Sequence, residues 1–142
     1  MKTEIIYEDN DIIVVNGPGS FTGVRIGVTI AKTMAYCLNA PIRVISALEV
    51  LVASIDDKSP KIVAINDRNG YFVGVFDEND NLIEEYKYLS NQEYNIFKQT
   101  NMVIDKKIIT DYDKIYEFAI NKQPMNPHLV NPLYVKKIEV QK

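Results

Sequence analysis

The segment with the most chemical potential is Gly17-Pro18-Gly19-Ser20-Phe21-Thr22-Gly23-Val24-Arg25-Ile26-Gly27. It follows a short apolar run, Ile12–Val15, and opens a stretch with helical patterning. A Gly-rich turn between a strand and a helix can bind phosphate, because unpaired backbone N–H groups and the helix dipole meet there. Gly17, Gly19 and Ser20 are therefore a candidate phosphate-facing turn. Neither common nucleotide motif fits. A Walker A loop needs Lys and Ser or Thr after its second glycine, and Val24 and Arg25 follow Gly23. A G-x-G-x-x-G string begun at Gly17 would need glycine where Thr22 stands. The competing reading is a tight turn in which Ser20 or Thr22 caps the helix.

Little else in the chain suggests catalysis. There is one histidine, His128, set among prolines in a tail read as extended. One cysteine, Cys37, stands near the end of the helix and reads as a small buried hydrophobe. No H-x-x-x-H pair, no Ser/His/Asp set and no cluster of carboxylates outside turns is visible. No catalytic residue, metal or cofactor is expected. Nine tyrosines could stack on bases, but the net charge of −3 gives no basic footprint for direct nucleic-acid binding. Core or rim packing is their expected role.

These residues need a scaffold. With 142 residues, 46% hydrophobic and 25% charged, the composition is that of a folded domain and excludes a wholly disordered chain. No run of about 18 apolar residues is present, so no membrane segment is expected. Glu4, Glu8 and Asp9 occupy the N-terminus where a secretory signal would be apolar, which points to the cytoplasm. Phe21 to about Leu38 reads as a helix that ends before Pro41. Gly23, Gly27, Ala31 and Ala35 recur every four residues and line one face. A glycine kept inside a helix favours close approach of another backbone, either this chain's own sheet or a helix of another chain. Ile42–Ile45 is a second strand, and Ser46 with Glu49 forms a capping box for a short helix to about Ser54. Beyond the polar linker near residues 55–60, strands are expected at Lys61–Asn66, Tyr71–Phe76, Leu82–Leu89, Met102–Ile104 and Ile108–Ile109. Helices are expected after the Ser90/Glu93 capping box and after Asp111. The pattern predicts an α/β fold of two lobes with mixed sheets and flanking helices, divided at 1–55 and 56–142.

The string GPGSFTGVRIG, continuing into IAKTMAYCLNAPIRVISALEVL, closely resembles the TsaB (YeaZ) family. A looser match follows over Ala64-Ile65-Asn66-Asp67-Arg68-Asn69-Gly70-Tyr71, and the ending Pro132-Leu133-Tyr134-Val135-Lys136 resembles the family's P-x-Y-x-R with Lys for Arg. The resemblance implies an actin-like, Hsp70-like (ASKHA, ribonuclease H-like) fold. It implies that residues 1–55 form an incomplete N-terminal lobe, because the family carries further strands, with a phosphate loop, ahead of the segment matching Ile12. The first lobe is then expected to hold two strands and two helices.

The resemblance also implies a role. In the family a catalytic subunit, TsaD, transfers threonylcarbamoyl to the tRNA adenosine beside the anticodon. TsaB is its non-catalytic scaffold and activator, and TsaE, an ATPase, docks on the pair. By this resemblance the chain binds TsaD and TsaE homologues, forms a homodimer when TsaD is absent, and meets tRNA only through the complex. The interface carried over comprises Phe21, Thr22, Val24, Arg25, Gly27, Val28, Ala31, Lys32 and Ala35. Arg25 suits a charge-assisted contact with a partner carboxylate. Two alternatives stand beside this: a degenerate homodimer that has lost TsaD binding, and an independent nucleotide-binding hydrolase.

Overall fold

The structure, a computed structural model, describes residues 4–19 and 21–135, with Phe21 described through its backbone alone. In chain order the elements are β1 (Ile5–Glu8), β2 (Asp11–Val15), α1 (Phe21–Leu38), β3 (Ile42–Ile45), α2 (Ala47–Ser54), β4 (Lys61–Asn66), β5 (Gly70–Phe76), β6 (Lys87–Ser90), α3 (Asn91–Thr100), β7 (Val103–Ile104) and α4 (Tyr112–Ile120). A 3₁₀ turn, Pro127–Leu129, follows. The described residues divide into two compact units, one running to Ser54 and joined by Thr110–Tyr134, the other comprising Ile55–Ile109 and Val135. The division expected from the sequence lay at 1–55 and 56–142. The segment containing α4 returns to the first unit, where α4 packs on α2 and β3 through buried Ile115 and Ala119. The Asp111 N–H donates to Ser54 Oγ at 3.1 Å, tying the start of α4 to the end of α2.

The first unit is built on a three-stranded sheet in the order β1-β2-β3. β1 and β2 are antiparallel, pairing Ile5 with Val14 and Glu8 with Asp11. β2 and β3 are parallel, pairing Ile12 with Ile42 and Val15 with Ile45, and α1 is the connection between them. The central strand reads Ile-Ile-Val-Val and is buried on both faces, as a strand covered by helices on both sides must be. Ile12 and Val14 pack against Val24, Val28, Ala31 and Ala35 of α1, together with Ile42 and Val130.

A lobe of two strands was expected, and the structure adds β1. Asp9 and Asn10 take left-handed φ values of 49° and 64° and turn the chain in a two-residue hairpin. Asn and Asp accept this conformation more readily than other side-chain-bearing residues.

The second unit holds a mixed four-stranded sheet in the order β6-β5-β4-β7. The β4–β5 and β5–β6 pairs are antiparallel, and β4–β7 is parallel. Tyr94 of α3 is buried against Ala64, Val73 and Leu89, and its ring stacks on Tyr71 at 3.7 Å between centroids. The Tyr94 hydroxyl donates to Asp105 Oδ2 at 2.6 Å, and Lys98 Nζ donates to the same oxygen at 2.9 Å.

Two expected strands are corrected here. Leu82–Leu89 forms a ladder only from Lys87. Leu82 makes an isolated bridge to Phe76 and the Ile83 N–H donates to Val75 O at 2.9 Å, but residues 82–85 are exposed and continue no ladder. Ile108–Ile109 is no strand, and Ile109 is almost wholly exposed.

Candidate functional site

The turn ahead of α1 is held from several sides. The Asn16 N–H donates to Ile45 O at 3.0 Å, and the Ala47 N–H donates to Gly17 O at 2.8 Å. Gly17 has φ of 102°, a conformation that glycine adopts without strain, and the Gly17–Pro18 peptide is cis. Gly17 and Pro18 are buried, and Gly19 is half-buried. Of the candidate phosphate-facing residues, Gly17 thus has its carbonyl committed to the start of α2, and Ser20 lies outside the described residues.

α1 has two distinct faces. Val24, Gly27, Val28, Ala31 and Ala35 are buried. The four with side chains pack on Ile12, Val14 and Ile42 of this chain's own sheet. Five residues of the interface expected from the sequence thus lie on the inward face of α1. Small side chains let the helix sit close to the strands, a use the spacing alone could not separate from a contact with another chain.

The outward face differs. Thr22 and Arg25, also expected at the interface, are exposed, and Lys32 is half-buried. The side chain of Phe21 is not described. Between Thr22 and Arg25 on one side and the turn of the helix beyond runs a seam of Ile26, Ile30, Thr33 and Cys37, all exposed. Their spacing of four, three and four residues places them on one stripe, the pattern by which helices pack on helices. Ile26 is 56% and Ile30 48% exposed. Thr29 and Thr33 turn their hydroxyls back to the carbonyls of Arg25 and Thr29, at 2.8 and 2.9 Å. That leaves their methyl groups to the surface. The sequence reading missed this seam; the signal that finds it is the second apolar stripe, offset from the Gly/Ala one.

The seam ends at a shallow cleft of about 210 Å³ lined by Lys32, Thr33, Tyr36, Cys37, Pro127 and His128. The rings of Tyr36 and His128 meet edge-on, with centroids 6.1 Å apart. Cys37 is exposed, not buried as expected.

In the second unit the Asp67–Gly70 turn is a polar knot. Asp67 Oδ1 accepts from the Asn69 and Gly70 N–H groups at 2.8 and 3.0 Å and from the Tyr88 hydroxyl at 2.7 Å. Burial, and then the Asp67 carboxylate, push Tyr88 up to about 12. These bonds build the β4–β5 hairpin. Among the described residues no three His, Cys, Asp or Glu side chains stand close enough to hold a metal ion. No helix among them is long and apolar enough to cross a membrane.

The two units, with mixed sheets and flanking helices, define an α/β protein of the actin-like class. A family model described as TsaD, tRNA N6-adenosine threonylcarbamoyltransferase, matches residues 4–130. The chain belongs to this family, on its TsaB (YeaZ) side. Over 76 residues it is 43% identical to the tRNA threonylcarbamoyladenosine biosynthesis protein TsaB of Bacillus subtilis, covering 52% of this chain and 33% of that one. A longer match, 25% identical, joins 91% of this chain to 66% of the TsaB of Buchnera aphidicola from Acyrthosiphon pisum. The chain thus spans between a third and two thirds of the length of these relatives. A crystal structure from Pseudomonas aeruginosa, described as an uncharacterized protein with similarity to peptidase YEAZ, shares the fold with a TM-score of 0.72. Its sequence identity is 17%, over 89% of this chain and 74% of that one.

Proposed function

We propose that this chain is a non-catalytic scaffold and activator subunit in the synthesis of threonylcarbamoyladenosine on tRNA. It docks on a TsaD-type catalytic subunit through the outward face of α1, and a TsaE-type ATPase joins the pair. The tRNA is met only through the complex, in the cytoplasm. The observation that carries this reading is the exposed Ile26–Ile30–Thr33–Cys37 seam, directly opposite a face already filled by the chain's own core. Such a stripe on a folded surface suits a helix from another chain. The names of the curated relatives supply the pathway. Thr22 and Arg25 flank the seam, and in this reading Arg25 meets a partner carboxylate.

The same seam fits a second copy of the chain, so self-association is the expected state without the catalytic subunit. Co-expression with the TsaD of the same organism, followed by light scattering, tests both. A one-to-one complex, with the chain alone running as a dimer, is the expected result. A chain that remains a stable dimer and never joins TsaD overturns the scaffold role and leaves the degenerate homodimer.

A further inference from the structure

After α4 the chain runs back across the first unit, where Pro127 and His128 lie beside α1, His128 edge-on to Tyr36, and a small set of bonds and one buried side chain hold the rest. The Met125 N–H donates to Ile42 O at 2.8 Å, along the outer side of β3. Val130 is fully buried in the cluster shared by α1 and β2. Asn16 then takes the end of the segment with both of its polar parts. Its side-chain Nδ2 donates to Asn131 O at 3.0 Å, and its backbone O accepts from the Leu133 N–H at 2.8 Å. Most other side chains of the segment are exposed, among them Met125, Asn126, His128, Leu129 and Asn131. Segments with few buried contacts open with less free energy than the core they lie on.

Asn16 is also the residue through which β2 enters the turn before α1. Its N–H is bonded to Ile45 O, and the next carbonyl, of Gly17, receives the Ala47 N–H. One residue therefore joins the returning segment to the head of the helix. The segment leads directly into the second unit, which the chain re-enters at Val135.

We propose that residues 125–133 are a releasable strap: it opens without unfolding the rest of its unit and, when closed, fixes the Asn16–Gly17 turn at the head of α1. Val130 is the anchor and Asn16 the latch. The proposal does not depend on the docking role of α1, because its readout lies within the free chain.

Native-state amide hydrogen exchange on the full chain tests it, with Asn16→Asp and Val130→Ala. Asn16→Asp keeps the size of the side chain and removes the donor to Asn131 O; about a tenfold faster exchange is expected at Met125 and Leu133. Val130→Ala removes two buried methyl groups, and about fifty-fold is expected at the same amides. In both variants the Ala47 N–H, bonded to the turn, loses protection with the strap, while the β1–β2 ladder keeps its own. Equal loss at every amide of the unit overturns the proposal, since the segment is then part of the global fold. So does unchanged protection at Met125 and Leu133. If Val130→Ala does not fold, Asn16→Asp alone decides.

Discussion

Replacing Ile26 and Ile30 together with Asp separates docking from folding. The two side chains are 56% and 48% exposed, so about half of each remains to be buried on association. Full burial of such a side chain is worth about 1.5–3 kcal/mol. The pair therefore offers about 2 kcal/mol to a partner. Each aspartate brought into the contact adds at least about 1 kcal/mol of unsatisfied polar burial. The sum, about 4 kcal/mol, corresponds to roughly a thousand-fold loss of affinity. The fold itself loses the helix propensity of two residues, about 1 kcal/mol, and the half of each side chain already buried in the free chain, about 2 kcal/mol more. Ala31→Leu is the converse: it overfills a wholly buried site between α1 and the sheet and lowers stability by about 1–3 kcal/mol, with the outward seam intact. Titration calorimetry against the catalytic subunit, with thermal melts of each variant, reads both quantities. Binding of the Ile26→Asp, Ile30→Asp protein within threefold of the parent refutes the two-faced account of α1.

Two further substitutions probe the second unit. A Cβ at Gly70 would lie 2.2 Å from the Leu89 carbonyl oxygen, a backbone atom of β6 that cannot move without breaking the sheet. Gly70→Ala should lower stability by at least about 3 kcal/mol in a urea melt, and an unchanged midpoint would count against the β5–β6 register. Asp105 is held below the ordinary aspartate value of 3.8, first by the Tyr94 hydroxyl and then by Lys98. A carboxylate depressed by folding adds stability above its unfolded value, and that stability is lost as pH falls through the folded one. Asp105→Asn should therefore cost stability at neutral pH and show a shallower decline below about pH 4; parallel curves for the two proteins would remove Asp105 from the acid response.

Much of the scaffold was legible because its signals are local. α1 was readable from its start at a breaker-rich turn and its end before Pro41, and both capping boxes form. Ser46 Oγ accepts the Glu49 N–H at 3.0 Å, and Ser90 Oγ accepts the Glu93 N–H at 3.2 Å. β1 was not expected, although Asp9-Asn10 between two apolar runs is a hairpin signal. The inward use of Gly27, Ala31 and Ala35 was not decidable from spacing, since small residues serve a sheet beneath a helix as well as a helix beside it. Nor could local pattern show that α4 belongs with the first unit. That assignment rests on Ile115 and Ala119 finding α2 and β3, residues more than fifty positions earlier in the chain.

The burial of β2 on both faces has a consequence for the chain before it folds. Ile12-Ile13-Val14-Val15 is a β-branched, uncharged run, the kind that seeds cross-strand aggregates when exposed. In the native sheet it lies between two neighbours, where no foreign strand can reach its edges. On the nascent chain the protection must come from sequence. Asp9 and Asp11 stand before the run, and Asn16, Gly17 and Pro18 stand directly after it. The same breakers that shape the head of α1 thus act as gatekeepers for this apolar run.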